Sequence, residues 1–450
     1  MRTLRHALTL TLLSLLASTA GAATFYVDDS GSNSNLGTID SPFRTITYAL
    51  TKVDGAYDQV IVRGGTYNER VVIWEKHGTA SGRIYVQAYT GETPIIDGTG
   101  IGAHSTVSIH TSSYVTFSGF TVQNAPETAI LIWNANNIDI KYNTVKTAIE
   151  AGIHAGADAV GGTHHILMKG NTVRDTVRQN IPGSGATSWL QAMSCFKADY
   201  VTFTENWVSK NYGEGIDCIL SDNCTITKNT LWDNKGSNIY LDNAQYALVD
   251  GNYIYNSGNS EYFRDGAPSP GILIANEDYD VQNPATNLTI TNNIVHRCNV
   301  GLAYYNSQEG GGLHYTLIAN NTFYHSVSTT AGLIYIEDGA TSNVHDTTVI
   351  DNNIFYQPTG IRYARAPTVG ITWKTNNWYG GMSGTEISGV GDVLANPLLV
   401  NAGGWSASDY KLTSTSPVKA SGTTESTVVN DHFTSNVRTA PYSIGAHEYN

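Results

Sequence analysis

Short alternating runs of apolar and polar residues recur along most of this chain, each broken at the same place by a turn residue. Aligned on that residue they read VTFSGFTV (115–122), IDIKYNTV (138–145), HILMKGNTV (165–173), VTFTENWV (201–208), CTITKNTL (224–231), ALVDGNYI (247–254), LTITNNIV (288–295), TLIANNTF (316–323) and TVIDNNIF (348–355). Marker positions Phe120 and Asn143, and then Asn206, Asn229 and Asn252, stand 23 residues apart, whereas Asn252 and Asn293 are separated by 41. A minimum period with longer insertions is the pattern of a solenoid, in which each repeat buries its apolar face only by stacking on its neighbours.

One such unit contains three short strands, as in GIDCIL, CTI and NTLW, each bounded by Gly, Asn, Asp or Ser. Three strands per turn predicts an all-β fold, a right-handed parallel β-helix of about 10–12 coils. Asparagines at one corner of successive coils are expected to hydrogen-bond in a ladder at the strand spacing of roughly 4.8 Å. The L-x-x-L-x-L spacing of leucine-rich repeats and the Trp-Asp signature of blade repeats are absent. The expected organisation is one domain over 23–450, with an amino-terminal cap and first coils at 23–110, regular coils at 111–360, and carboxy-terminal coils and cap at 361–450. Cys195 and Cys218, 23 apart, should stack inward as free thiols, since in-register side chains on parallel strands rarely meet disulfide geometry; Cys224 and Cys298 fall in other columns.

Residues 1–22 differ from this pattern. Arg2 and Arg5 precede the apolar run ALTLTLLSLLAS and then Ala20-Gly21-Ala22, the form of a secretory signal peptide, with cleavage expected after Ala22 or Ala23 and an exported, unanchored product. Losing two arginines would take the formal charge from −13 to −15. An acidic chain without basic runs excludes duplex nucleic acid and anionic membrane as partners, and 41% hydrophobic content is too high for a disordered chain. A monomer acting on a polysaccharide is expected.

The segments TFYVDDSGSNSNLGTIDSPFRTITYAL, GGTYNERVVI and PIIDGTG near the start, and NPLLVNAGG and YSIGAHEY near the end, resemble those of secreted parallel β-helix proteins of the pectate-lyase-like superfamily. The resemblance spans nearly the whole chain after residue 22. It implies the β-helix, with Ala49–Val53 as a helix capping the first coil, and a carbohydrate-active role as lyase, hydrolase, epimerase or binding protein.

Alternation along the first strand of each coil makes Leu131, Trp133, His154, Ser194, Phe196, Asp217, Ile219, Tyr240, Asp242, Leu273, Ala303 and Tyr305 outward-facing. Functional groups concentrate at Asp217, Tyr240 and Asp242, beside Lys210, Tyr212, Glu214 and Lys235, in a groove walled by insertions at 156–164, 174–190 and 256–270. Glu214, in a turn, and Asp217, on the strand, could hold Ca²⁺ or act as an acid and base. NYGEGIDCIL resembles the Asp-Asp-Gly-x-Asp calcium segment of one bacterial pectate lyase family, with Glu214 and Asp217 on two of its acidic positions, Gly213 in place of the first Asp, and no match to a further Asp near Leu190–Ser194.

β-Elimination on a uronate needs a base at C5 and a cation to neutralise the adjacent carboxylate. The candidate bases are Lys197, then Lys235 and Tyr240. Trp133, Trp189, Tyr240 and Tyr305 are candidate sugar platforms, Arg264 is placed to reach a substrate carboxylate, and His154, Lys210, Tyr212 and Asp242 complete the expected substrate contacts. His154, Asp158, His164 and His165 fit no zinc spacing, and Glu277, Asp278 and Asp280 form a second acidic cluster. The leading expectation is a polysaccharide lyase. A glycoside hydrolase using Asp217 with Asp242 or Glu214 is the alternative, although the Asn-Thr-Asp and Gly-His-Gly signatures of polygalacturonases are absent, and a non-catalytic carbohydrate-binding or surface β-helix is the third possibility.

Overall fold

In the computed structural model, residues 22–449 are described apart from 186–189, 280–283, 308–310, 339–343, 359, 383–388, 426, 429, 432, 434 and 435. Residues 1–21 of the segment expected to be a signal peptide, and Trp189, therefore lie outside the described residues.

Three parallel sheets of 11, 13 and 12 strands run the length of the molecule, each built from one strand per coil. The coil that begins at Glu214–Ile219 continues through Thr225–Thr227 and Thr230–Asn234, the three strands foreseen in GIDCIL, CTI and NTLW. Inward positions are β-branched or apolar and almost wholly buried, as with Ile216, Ile226 and Leu231 in this coil and Ile239, Val249 and Ile254 in the next. This makes a right-handed parallel β-helix of the expected kind. No helix among the described residues is long and apolar enough to cross a membrane.

The corner between the second and third strands is made in two residues. The first takes a left-handed conformation, as at Tyr142, Glu205, Lys228, Asn292 and Asn352, a strained setting for side chains other than glycine. The second is the ladder asparagine. Its Oδ1 accepts from the backbone N–H and the Nδ2 of the asparagine one coil earlier, so that Asn206 donates twice to Asn229 at 2.9 Å and Asn229 twice to Asn252 at 3.0 Å. Nine buried asparagines (143, 171, 206, 229, 252, 293, 321, 353 and 376) continue the row. It starts at the Phe120 N–H and ends on the Asp392 carboxylate.

The amino-terminal end is covered by a helix at Ile46–Leu50, three residues earlier than expected. Thr45 accepts from the Tyr48 N–H, and the Glu69 carboxylate accepts from the Ile46 and Thr47 N–H groups. That second cap comes from a distant segment and fixes where the helix begins. The described residues after 396 include Leu399, Tyr410, Leu412, Val418 and Ile444, which pack on Tyr253, Ile294 and Ile354 at the third sheet. All four cysteines are buried free thiols. Cys195 and Cys218 are register partners as expected, but the Cys224 thiol, assigned to another column, comes within 3.4 Å of Cys195, because the corner after Ile219 turns it inward.

Candidate functional site

The first-strand sheet carries its outward residues in the expected register. One column reads Leu131, His154, Ser194, Asp217, Tyr240, Leu273 and Ala303; the next reads Trp133, Gly156, Phe196, Ile219, Asp242, Ala275 and Tyr305. Over the coils from Gln191 to Tyr305 this face floors a cleft of about 680 Å³. Its lining includes Gln191, Glu214, Asp217, Tyr240, Asp242, Arg264, Glu277, Tyr279 and Tyr305.

Four carboxylates and one guanidinium thus converge on one concavity. Glu214 is the first residue of its strand rather than a turn residue, and Gln191 on the preceding coil donates to its Oε2 at 3.2 Å. The glycines on either side allow this close stacking. A Cβ at Gly213 would come 2.1 Å from the Leu190 carbonyl oxygen, and one at Gly215 would come 2.2 Å from that of Asn238. An aspartate at 213, as in the calcium segment, would meet that carbonyl.

Asp217 is 1% exposed, and neither of its carboxylate oxygens accepts from a donor group, its hydrogen-bonding neighbour being the Glu214 carboxyl; Oδ1 of Asp242 is likewise buried and without a donor. Burial in a low-dielectric wall, reinforced by neighbouring carboxylates, raises all three acids. Glu214 is pushed up to about 7 and Asp242 to about 8, while Asp217 stands well above the usual carboxylate range.

Three phenols complete the cleft. Tyr240 donates to Glu277 Oε1 at 2.5 Å, Tyr305 donates to the same oxygen, and the Tyr240 and Tyr305 hydroxyls touch. Tyr279 donates to Asp242 Oδ2. Burial and adjacent carboxylates raise all three phenols, so they are neutral donors at neutral pH. Glu277 is pinned through its backbone, accepting from Asn243 Nδ2 at 3.0 Å and donating to Asn243 Oδ1 at 2.7 Å.

The expected residues divide clearly. Glu214, Asp217, Tyr240, Asp242, Arg264 and Tyr305 are brought together. Lys197 forms the left-handed bend just after the strand Gln191–Phe196, with its ammonium 4.9 Å from the Phe196 ring centroid, and does not line the cleft. Lys235 does not line it either, since its ammonium donates to the Asn180 carbonyl at 2.9 Å, and Lys210 is an exposed residue of the strand Trp207–Asn211 with a left-handed backbone. Tyr212 is buried against Tyr262 and donates to Glu261, tying down the 256–270 insertion.

Trp133 and His154 lie on the right face but too far along the axis, four coils before Asp242 and two before Asp217, roughly 19 and 10 Å at the strand spacing. Trp133 bonds Asp158, and half-buried His154 bonds the Ser194 hydroxyl at 2.8 Å, with desolvation lowering it to about 4. His164 and His165 contact each other, and Asp158 contacts Trp133 and Asn134, so these residues do not converge on one point. Of the walls, 256–270 supplies Arg264, while 174–190 contributes Val177, Ile181 and Leu190 to the packing around Tyr212 and Tyr262. Asp280 lies outside the described residues.

The placement of Glu277 and Tyr279 in the cleft was not foreseen. A signal for Glu277 existed: positions 273, 275 and 277 share the outward parity, and one further step past the strand end reaches this face.

Fold and cleft together define a pectate-lyase-like parallel β-helix protein with an acidic, phenol-lined groove. Residues 25–310 match the family model described as Pel9A-like, right handed beta helix region, and the chain belongs to that family. Among curated proteins it is 42% identical over 78 residues to pectate lyase PEL9 of Emericella nidulans, covering 17% of this chain and 19% of that one. It is 32% identical over 146 residues to uncharacterized protein YwoF of Bacillus subtilis, covering 29% of this chain and 31% of that one. The matches thus span less than a third of either curated relative. Among solved structures, pectate lyase Pel9A superposes with a TM-score of 0.58 at 16% identity, over 96% of this chain and 98% of that one. The surface adhesin PfbA of Streptococcus pneumoniae gives 0.57 at 14% identity over 75% and 85%. XylC in complex with xylose gives 0.56 at 13% identity over 84% and 87%. Structural likeness at these identities establishes the fold.

Proposed function

We propose that this chain is a polysaccharide lyase that cleaves a uronate-containing glycan of the pectate type in the cleft, by β-elimination, with a divalent cation such as Ca²⁺ held by Glu214, Asp217 and Asp242. The observation that carries the reading is the buried Asp217 carboxyl, neither oxygen of which accepts from a donor group, beside the Asp242 oxygen that also lacks a donor. Carboxyl oxygens left without donors in a protein wall suit a hard cation, whose charge would offset the burial and mutual repulsion that raise these acids. The family and its relatives named as pectate lyases support the substrate class.

When bound, the cation supplies the positive charge that neutralises the substrate carboxylate and makes the C5 proton acidic. Arg264 on the cleft rim orients that carboxylate. Of the three candidate bases, Tyr240 lines the cleft. It passes its own proton to Glu277 as its oxygen takes the C5 proton, then returns a proton to the departing O4. The C4–O4 bond breaks, a C4=C5 double bond forms, and Glu277 restores the phenol. Tyr305, on the same Glu277 oxygen, holds that carboxylate in line.

The test is the ultraviolet absorbance of the conjugated product on polygalacturonate, with Ca²⁺ or chelator. Wild type should generate it only with the cation, and Tyr240→Phe should lose it while keeping its unfolding midpoint. Absorbance growth in Tyr240→Phe at the wild-type rate would overturn the assignment. A glycoside hydrolase is the second reading, favoured by acids raised to about 7 and 8 that remain protonated near neutrality and can serve as general acids. It would give new reducing ends without the chromophore.

A further inference from the structure

A second concavity, of about 440 Å³, shares no lining residue with the cleft. The 256–270 insertion contributes to both, giving Arg264 to the cleft and Phe263, Gly266 and Pro268 to this pocket. Its opposite side is built by repetition. Tyr255, His296 and Tyr324 are register partners on consecutive coils, so the residues after them, Asn256, Arg297 and His325, stack in one column at the strand spacing of about 4.8 Å.

Asp233, one coil before Asn256 in that column, is buried and already accepts from the Ser257 N–H and hydroxyl, whereas Asn256 and Arg297 each keep a donor without an acceptor. Asn256 is 1% exposed, and its Oδ1 accepts from the Gly258 N–H, but its buried Nδ2 has no partner. The Nε of Arg297 is buried and unpartnered as well, although Nη2 donates to the Gly403 carbonyl at 3.2 Å and the guanidinium lies over Trp405, 4.6 Å from its ring centroid. No acidic residue lines the pocket, in a chain whose formal charge is −13. A buried amide and a guanidinium nitrogen without acceptors leave a site for a carboxylate.

An aromatic strip leads away from it. Trp405 is in edge contact with Tyr255, Tyr255 stacks on Trp232 at 5.5 Å with ring planes 4° apart, and Trp232 meets Trp207 edge-on. Trp207 is 57% exposed and Trp405 50%. Such rings on an outer sheet face match the apolar faces of successive sugars.

We propose that this pocket and strip form a second glycan-binding site, separate from the cleft, in which Asn256 and Arg297 take the carboxylate of a uronate residue and Trp207, Trp232 and Tyr255 carry the adjoining rings. The proposal rests on the lyase reading only for the identity of the sugar. The site would hold the polymer on a neighbouring sheet while the cleft cuts.

The test measures binding of polygalacturonate by affinity electrophoresis in chelator, with neutral dextran as the control polymer. It uses the Asp217→Asn protein, so that turnover does not consume the probe. Adding Arg297→Gln, or the isosteric Asn256→Asp that places an anion against the ligand, should weaken retention at least tenfold. Trp207→Ala, at an exposed position, should weaken it several-fold, with unfolding midpoints unchanged. Introduced singly into the otherwise wild-type protein, each change should leave turnover of a short oligogalacturonate intact. Retention unaltered by all three changes, or equal retention of dextran, would overturn the second site. Absence of product formation by the wild-type protein, with polygalacturonate retention still sensitive to Arg297→Gln, would overturn the lyase reading and leave the second site standing.

Discussion

Replacing Asp242 by asparagine should stabilise the protein above neutral pH while ending turnover. In the folded chain this carboxyl is 3% exposed, has one unpartnered oxygen, and is raised by burial from an ordinary value of 3.8 to about 8. The unfolded chain therefore releases its proton near pH 4 and the folded chain near pH 8. Across that window the folded state binds more protons, so stability falls as pH rises: the contribution is complete below about pH 4 and lost once pH passes about 8. Each pH unit corresponds to about 1.4 kcal/mol, which sets a ceiling of roughly 5–6 kcal/mol. Relaxation and water entry, which bring the effective dielectric near 20, leave about 2–3 kcal/mol. Asparagine removes the titration and still offers an oxygen to the Tyr279 hydroxyl. Urea midpoints followed by tryptophan fluorescence in chelator should be close for the two proteins near pH 4 and diverge toward about pH 9 in favour of the variant. Adding Ca²⁺ at the upper pH should raise the wild-type midpoint and leave the variant's nearly unmoved. A gap that does not widen with pH, or a variant less stable than wild type at pH 9, would refute the reasoning.

Asn229→Ala removes the acceptor of two Asn206 hydrogens and the donor to the Phe203 carbonyl, stranding buried groups at about 1–3 kcal/mol each. The expected loss is roughly 3–5 kcal/mol in urea unfolding, and an unmoved midpoint would remove the ladder as a source of stability. Cys195, Cys218, Cys224 and Cys298 should be unreactive toward Ellman's reagent in the native protein and all titrate in guanidinium; fewer than four thiols after unfolding would show that a disulfide forms inside the coil.

Much of the cleft was legible because a strand alternates strictly and the coils repeat. Once Asp217 was placed outward, Tyr240, Asp242 and Tyr305 followed from register alone. What alternation does not encode is where a chain goes after its strand ends. Lys197 leaves in a left-handed bend and Lys235 folds back to the Asn180 carbonyl, while Glu277 turns into the cleft because Asn243 from the preceding coil grips its backbone. Position along the axis counts as much as the face: His154 and Trp133 share the face but belong to coils too distant to meet one substrate ring. The start of the capping helix was hidden for a similar reason, since Glu69, which helps to fix it, is remote in sequence.

The asparagine row has the same local chemistry at every step, although successive members stand 28, 35, 23, 23, 41, 28, 32 and 23 positions apart in sequence. Insertions are thus absorbed at other corners while this one stays invariant. Only its two ends are singular, a backbone N–H at Phe120 and a carboxylate at Asp392. Length is therefore an editable variable in this architecture. A whole coil spliced in or out distant from the cleft alters the row by one amide and leaves both terminators in place, so a lineage, or an engineer, can lengthen the solenoid by whole modules without redesigning either the cleft or the ends.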